Sequence, residues 1–146
     1  MPAEDIEAIK QLKARYFRFM DTKQWSEMRQ VFTDDVRVDT TQDGTEVVEG
    51  ADAFVGPLSE MLADVITVHH GHMPEIELTS DTTATGIWAM EDHLWWPEDS
   101  PLRHLHGYGH YHETYRKGAD GWRIASLTLT RLHREITAGD GTVSSA

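Results

Sequence analysis

Four long extended stretches in the second half of the chain constrain its fold more than anything else. They cover residues 66–79, 82–96, 102–117 and 121–134, and only Ser80-Asp81, the segment from Pro97 to Pro101, and Gly118-Ala119-Asp120-Gly121 separate them. Long strands joined by short turns make an antiparallel meander. Such a sheet has a face to bury, and the first half of the chain must supply the cover.

That first half reads as mostly helical. Over residues 4–21, Ile6, Ile9, Leu12, Tyr16, Phe17 and Met20 recur at three- and four-residue steps and form one broad apolar stripe. Glu4 and Asp5 stand in the first turn, where the helix dipole favours negative charge. Asp21 stands at the other end, where the dipole disfavours it. It has two readings: a role in catalysis, or a cap, because Asp21-Thr22-Lys23-Gln24 resembles a capping box opening a second helix through about residue 31. Residues 34–40 and 45–49 read as short strands around Thr41-Gln42-Asp43-Gly44, and residues 50–64 as a helix with Phe54, Leu58 and Leu62 at four-residue spacing. The small polar residues 137–146 are expected to fray. The sum is one α+β domain over residues 1–136, a strongly bent sheet wrapped over a helix to leave a cone with a cavity at its mouth.

Composition narrows the function classes. The 13 basic residues against 25 acidic ones give a formal charge of −12, which argues against nucleic acid or an anionic membrane as partner. There is no cysteine for a disulfide or a thiolate metal site. No apolar run reaches the roughly 18 residues of a membrane span, and the N-terminus does not read as a signal peptide, so a cytoplasmic location is expected.

Side chains alternate along strands, so parity sorts the polar residues. In 82–96 the even face carries Trp88, Met90, Asp92, Leu94 and Trp96. A carboxylate in that apolar row must be paired, stay protonated, or lie in an outward interface, and Asp92 is a candidate site residue. In 121–134 the odd face reads Ala125, Leu127, Leu129, Arg131, His133, so Arg131 points inward, for a structural ion pair or for a substrate oxygen. In 102–117 the odd face places Gly107 and Gly109 beside Tyr111, leaving room for a ligand. The even face carries His104, His106, His110 and His112. No carboxylate follows these histidines at the spacing of a cupin site, so they read as a solvated or interface face, and no metal is expected. The stretch from Ile66 to Leu78 adds His69, His70 and His72. Thr67, His69 and Gly71 share one face and Val68, His70 and His72 the other, and parity leaves open which is inside.

Two segments carry a resemblance. Residues 5–18 continuing to Asp21, and Gly71-His72-Met73-Pro74-Glu75-Ile76 followed by residues 82–88 and Glu91-Asp92, resemble the SnoaL-like branch of the nuclear-transport-factor-2-like (NTF2-like) superfamily. More narrowly they resemble the bacterial bile-acid 7-alpha-dehydratases, with scytalone dehydratase and dehydrochlorinase relatives sharing the key pair. The resemblance implies the same cone, no cofactor, a homodimer or homotrimer formed through the outer sheet face, and a helix-end aspartate, Asp21, orienting a strand histidine, His69. It puts the helix tyrosine at Tyr16, the strand aspartate at Asp92, the last-strand arginine at Arg131, and a second strand histidine of scytalone dehydratase near His93. A pocket tyrosine of some relatives falls on Thr40, and the longer C-terminal segment of the bile-acid enzymes is absent. The expected activity is a lyase that removes water from a small apolar cyclic substrate, steroid-like or polyketide-like. Phe17, Trp88, Tyr111 and Leu127 would position it. An isomerase or cyclase with the same dyad and a non-catalytic binding domain are the alternatives.

Overall fold

In the computed structural model, which describes residues Met1–Ala146, helix α1 (Pro2–Asp21) lies against a seven-stranded sheet. Pro2 suits a first turn that has no partner for its N–H anyway. Ile9, Leu12, Tyr16, Phe17 and Met20 of the expected stripe are buried, each worth roughly 1.5–3 kcal/mol of transfer free energy. Lys23, at φ 58°, sits in the left-handed region just beyond α1, and its ammonium bonds the carbonyls of Leu62 and Val65, tying this turn to the segment before residue 66.

The helix α2 (Trp25–Arg29) is shorter than expected, and its N-cap is Gln24. The capping-box reading of Asp21 therefore fails, since Asp21 is the last residue of α1 and its carboxylate is used elsewhere. Strand β1 (Phe32–Asp39) begins two residues earlier than expected, a 3-10 turn occupies Thr41–Asp43, and β2 (Val48–Glu49) is brief. Gly44, at φ 87°, closes that turn in a conformation few side chains adopt. Helix α3 (Ala51–Met61) follows.

The meander is as expected: β3 (Ile66–Leu78), β4 (Thr83–Trp95), β5 (Leu102–Gly118) and β6 (Gly121–Ala138) pair antiparallel in order. The full order is β2-β1-β6-β5-β4-β3, with β1 parallel to β6, so the sheet is mixed. Residues 143–145 form β7 and pair with Glu135–Thr137, so the expected fraying tail ends in a hairpin.

Register irregularities correct one parity reading. The β5–β6 ladder shifts at Thr114/Tyr115 and again at Tyr108/Gly109. Each shift turns the alternation over. Trp122 and Ile124 therefore join Leu127 and Leu129 inside, while Ala125 and His133 leave the face assigned to them. Arg131 stays on the inner side, its side chain 8% exposed.

Candidate active site

The site gathers where the C-terminal end of α1 crosses β3. Thr67 and His69 are buried and His70 is exposed, which settles the parity of the histidine stretch. Asp21 then accepts three hydrogen bonds from β3. The Thr67 hydroxyl donates to Oδ1 at 2.9 Å, the His69 amide donates to Oδ2 at 2.8 Å, and Nδ1 of His69 lies 2.7 Å from Oδ1. A carboxylate held by two fixed donors in turn fixes the imidazole: Nδ1 carries its proton toward Asp21, and Nε2 is left with a lone pair.

Nε2 faces the second half of the site. Oδ2 of Asp92 lies 4.0 Å from it. Asp92 is 3% exposed, and its desolvation is offset by a two-pronged pair with Arg131, Nη1 to Oδ1 at 2.8 Å and Nη2 to Oδ2 at 3.0 Å. The other side of the same guanidinium holds Asp43, through Nε at 2.9 Å and Nη2 at 3.0 Å, and Arg134 also reaches Asp43 at 3.1 Å. With two carboxylates satisfied, Arg131 acts as the holder of Asp92 and Asp43 rather than as a free donor. These hydrogen bonds to Asp92 and Asp43 hold its pKa well above the usual arginine value despite the burial. Gly107 makes the pair possible: a Cβ there would lie 2.5 Å from Nη1 of Arg131 and 2.6 Å from Oδ1 of Asp92.

A run of rings continues inward from the dyad. Phe17 stacks on His69 at 6.3 Å and 18°, and Phe17 and Tyr16 each lie 5.8 Å from Tyr111. Phe17 also closes over Gly71, where a Cβ would come within 2.6 Å of its ring. Burial, then the negative charge of Glu113, raise the pKa of Tyr16, so its phenol keeps its proton and remains a hydrogen-bond donor. Under these rings lies a fully buried ion pair that was not anticipated. Nζ of Lys13 sits 2.5 Å from Glu113, 3.8 Å from the Tyr16 centroid and 3.6 Å from that of Tyr111.

The other expected residues stand apart from the dyad. Trp88 is in the packed core, its indole N–H donating to the Tyr115 hydroxyl at 2.9 Å, and Leu127 is 1% exposed in the same core. Thr40 lies beyond β1 and hydrogen-bonds Thr45, closing its own loop. His93 is placed on the opposite face of the sheet, because it is one residue from Asp92 on a strand: it stacks on His106 and Trp95 there. Its assignment to the substrate wall is corrected accordingly. Asp43, Lys13, Glu113 and Arg134 were missed. Lys13 had a signal, since it follows Ile9 by four and precedes Tyr16 by three, inside the apolar stripe. Asp43 had none, because a turn residue reveals its long-range partner only in the fold.

Two surface clefts of about 310 and 470 Å³ lie elsewhere, around Thr83, Thr114 and Asp35, and around Arg116 to Arg123. Neither includes a residue of the dyad, which is nearly closed, His69 being 8% exposed.

A curved mixed sheet clasping one long helix, with a carboxylate–imidazole pair at the helix end, defines a protein of the NTF2-like fold. The SnoaL-like domain profile matches residues 1–128, and the chain belongs to that family. It is 27% identical to the Gibberella zeae protein named probable cyclase FGR4, over 88% of this chain and 91% of that one. Its fold is similar to that of a candidate scytalone dehydratase from Novosphingobium aromaticivorans, with TM-score 0.82, 20% identity and coverage of 91% and 87%. It is also similar to a hexachlorocyclohexane dehydrochlorinase, LinA type 2, with TM-score 0.81, 17% identity and coverage of 94% and 92%. Relatives thus include a cyclase-like, a dehydratase-like and a dehydrochlorinase protein.

Proposed function

We propose that this protein is a cofactor-independent lyase in which His69, oriented by Asp21, takes a proton from carbon and water leaves a cyclic, apolar substrate. The observation that carries the reading is the geometry of His69, with Nδ1 committed to Asp21 at 2.7 Å and Nε2 directed to the side where Asp92 lies. Nε2 accepts the proton from a carbon next to a carbonyl. The C–H electron pair moves into an enolate, whose oxygen takes a hydrogen bond from the Tyr16 phenol. The enolate re-forms the carbonyl as the β-hydroxyl departs, carrying a proton returned from Nε2, and the products are an unsaturated carbonyl compound and water. The imidazolium formed on the way lies between the carboxylates of Asp21, 2.7 Å from Nδ1, and Asp92, 4.0 Å from Nε2. Proton transfer of this kind contributes on the order of 10²–10⁴ in rate, so orientation against Phe17 and the neighbouring rings has to supply more. Because the dyad is nearly closed, a ring-sized substrate requires its mouth to widen.

An isomerisation or cyclisation begins with the same proton abstraction, and the likeness to a protein named as a cyclase favours it as the second reading. Incubation with cyclic β-hydroxy carbonyl compounds and mass analysis of the product separates the two, because only dehydration removes the mass of water. His69→Ala is expected to abolish turnover while the circular dichroism spectrum stays unchanged. Undiminished turnover by that folded variant would overturn the assignment of the base, and binding without turnover by the wild type would favour a non-catalytic pocket.

A further inference from the structure

The outer face of the sheet, opposite the dyad, carries a second cluster. Three neighbouring strands bring it together: the ladders set His70 of β3 opposite Glu91 of β4, and His93 of β4 opposite His106 of β5. The Glu91 carboxylate lies 3.1 Å from Nε2 of His106 and 3.6 Å from Nε2 of His72. The rings of His93 and His106 stack at 3.8 Å, with Trp95 against His93 at 5.1 Å and Tyr108 against His106 at 4.5 Å. One donor atom from each of Glu91, His93 and His106 lies within 4.8 Å of the other two.

We propose that Glu91, His93 and His106 form a binding site for a divalent transition-metal ion of the zinc class. In a tetrahedral site with bonds near 2.0–2.1 Å the donor atoms stand roughly 3.4 Å apart, so the three converge on one ion after side-chain rotations that move them by about 1 Å. Nδ1 of His93 already lies 3.0 Å from Nε2 of His104, which orients the ring and leaves its Nε2 as the donor. His72 or water completes the coordination. Two imidazoles with one carboxylate suit zinc, copper or nickel, whereas magnesium and calcium take oxygen donors. The carboxylate missing from the histidine row of β5 is supplied by the adjacent strand. Since Asp92 alternates with Glu91 and His93 on β4, an ion here would staple the strand that carries Asp92 to its neighbour β5.

Zinc titration of the protein purified without a histidine tag, against a chromophoric competitor, tests the site. One ion per chain is expected. Glu91→Gln and His106→Gln should each weaken binding by about tenfold or more. His110→Gln with His112→Gln, farther along the same row, should leave it unchanged. Circular dichroism identifies any variant that fails to fold, and His93→Gln then replaces it. Absence of saturable binding, or equal affinity in the folded Glu91 and His106 variants, would overturn the proposal.

Discussion

Asp21 is the residue on which local and long-range readings diverge most. In sequence it opens a capping box, and in the fold it caps nothing: its donors are Thr67 and His69, 46 and 48 residues away. No local pattern encodes such a partner, which is why the residues alone left two readings open and only the resemblance selected His69. Asp92 was legible, because one carboxylate in a strand's apolar row has to be explained. His93 was misplaced because a similarity assigned it, whereas its own parity, one residue from Asp92, put it on the far face. Asp21→Asn keeps the shape but weakens the acceptor that holds the Nδ1 proton. It should lower kcat on the order of 10²–10⁴ with a small change in melting temperature. Gly107→Ala should do the reverse of a neutral change. Its methyl group meets Arg131 and Asp92 head-on, and thermal denaturation should show a loss of about 1–3 kcal/mol.

At the scale of elements, α1 and the meander were legible from period alone, and the joins between them were not. The stripe on α1 and the alternation on β4 are local patterns, but the register shifts in β5–β6 are set by pairing between strands and invert the parity of Ala125 and His133. Besides Asp21, two charged contacts dock α1 on the sheet. Lys13–Glu113 is fully buried; desolvation pushes the Lys13 ammonium down to about 8, opposed by the charge of Glu113. Removing one partner alone, Lys13→Met, leaves a buried unpaired carboxylate and should destabilise by about 3–5 kcal/mol, whereas Lys13→Met with Glu113→Leu should recover most of it in urea melts. The second contact is Asp5, which accepts from the Trp122 indole N–H and the Lys117 ammonium, each at 3.0 Å. These two donors, Trp122 first, hold its carboxyl below the ordinary 3.8. A depressed carboxyl stabilises the fold above its unfolded-state value and loses that contribution as pH falls through the folded-state one. The stability gap between wild type and Asp5→Asn should therefore be present at neutral pH and close below about 3.8 in denaturant titrations. A gap independent of pH would remove Asp5 from this role.

For the whole molecule, helices first and an antiparallel meander after were enough to reach an α+β cone, because short turns leave few ways to order four long strands. The parallel pairing of β1 with β6 and the return of the C-terminus as β7 depend on contacts between distant segments, and nothing local announces them. The cone serves the site by bringing the end of α1, the edge strand β3, its neighbour β4 and the long strand β6 to one place, so that Asp21, His69, Asp92 and Arg131 meet from four elements. The claim at the centre is that this assembly fixes His69 with its proton on Nδ1 and its lone pair on Nε2. Nitrogen-15 NMR of the histidine rings reads that state directly, with assignment from His69→Gln. The expected spectrum at a pH where the ring is neutral gives His69 as the Nδ1–H form, its proton shifted far downfield by Asp21 and returned to an ordinary position in Asp21→Asn. A His69 ring protonated on Nε2, or one whose signals do not respond to Asp21→Asn, would contradict the dyad.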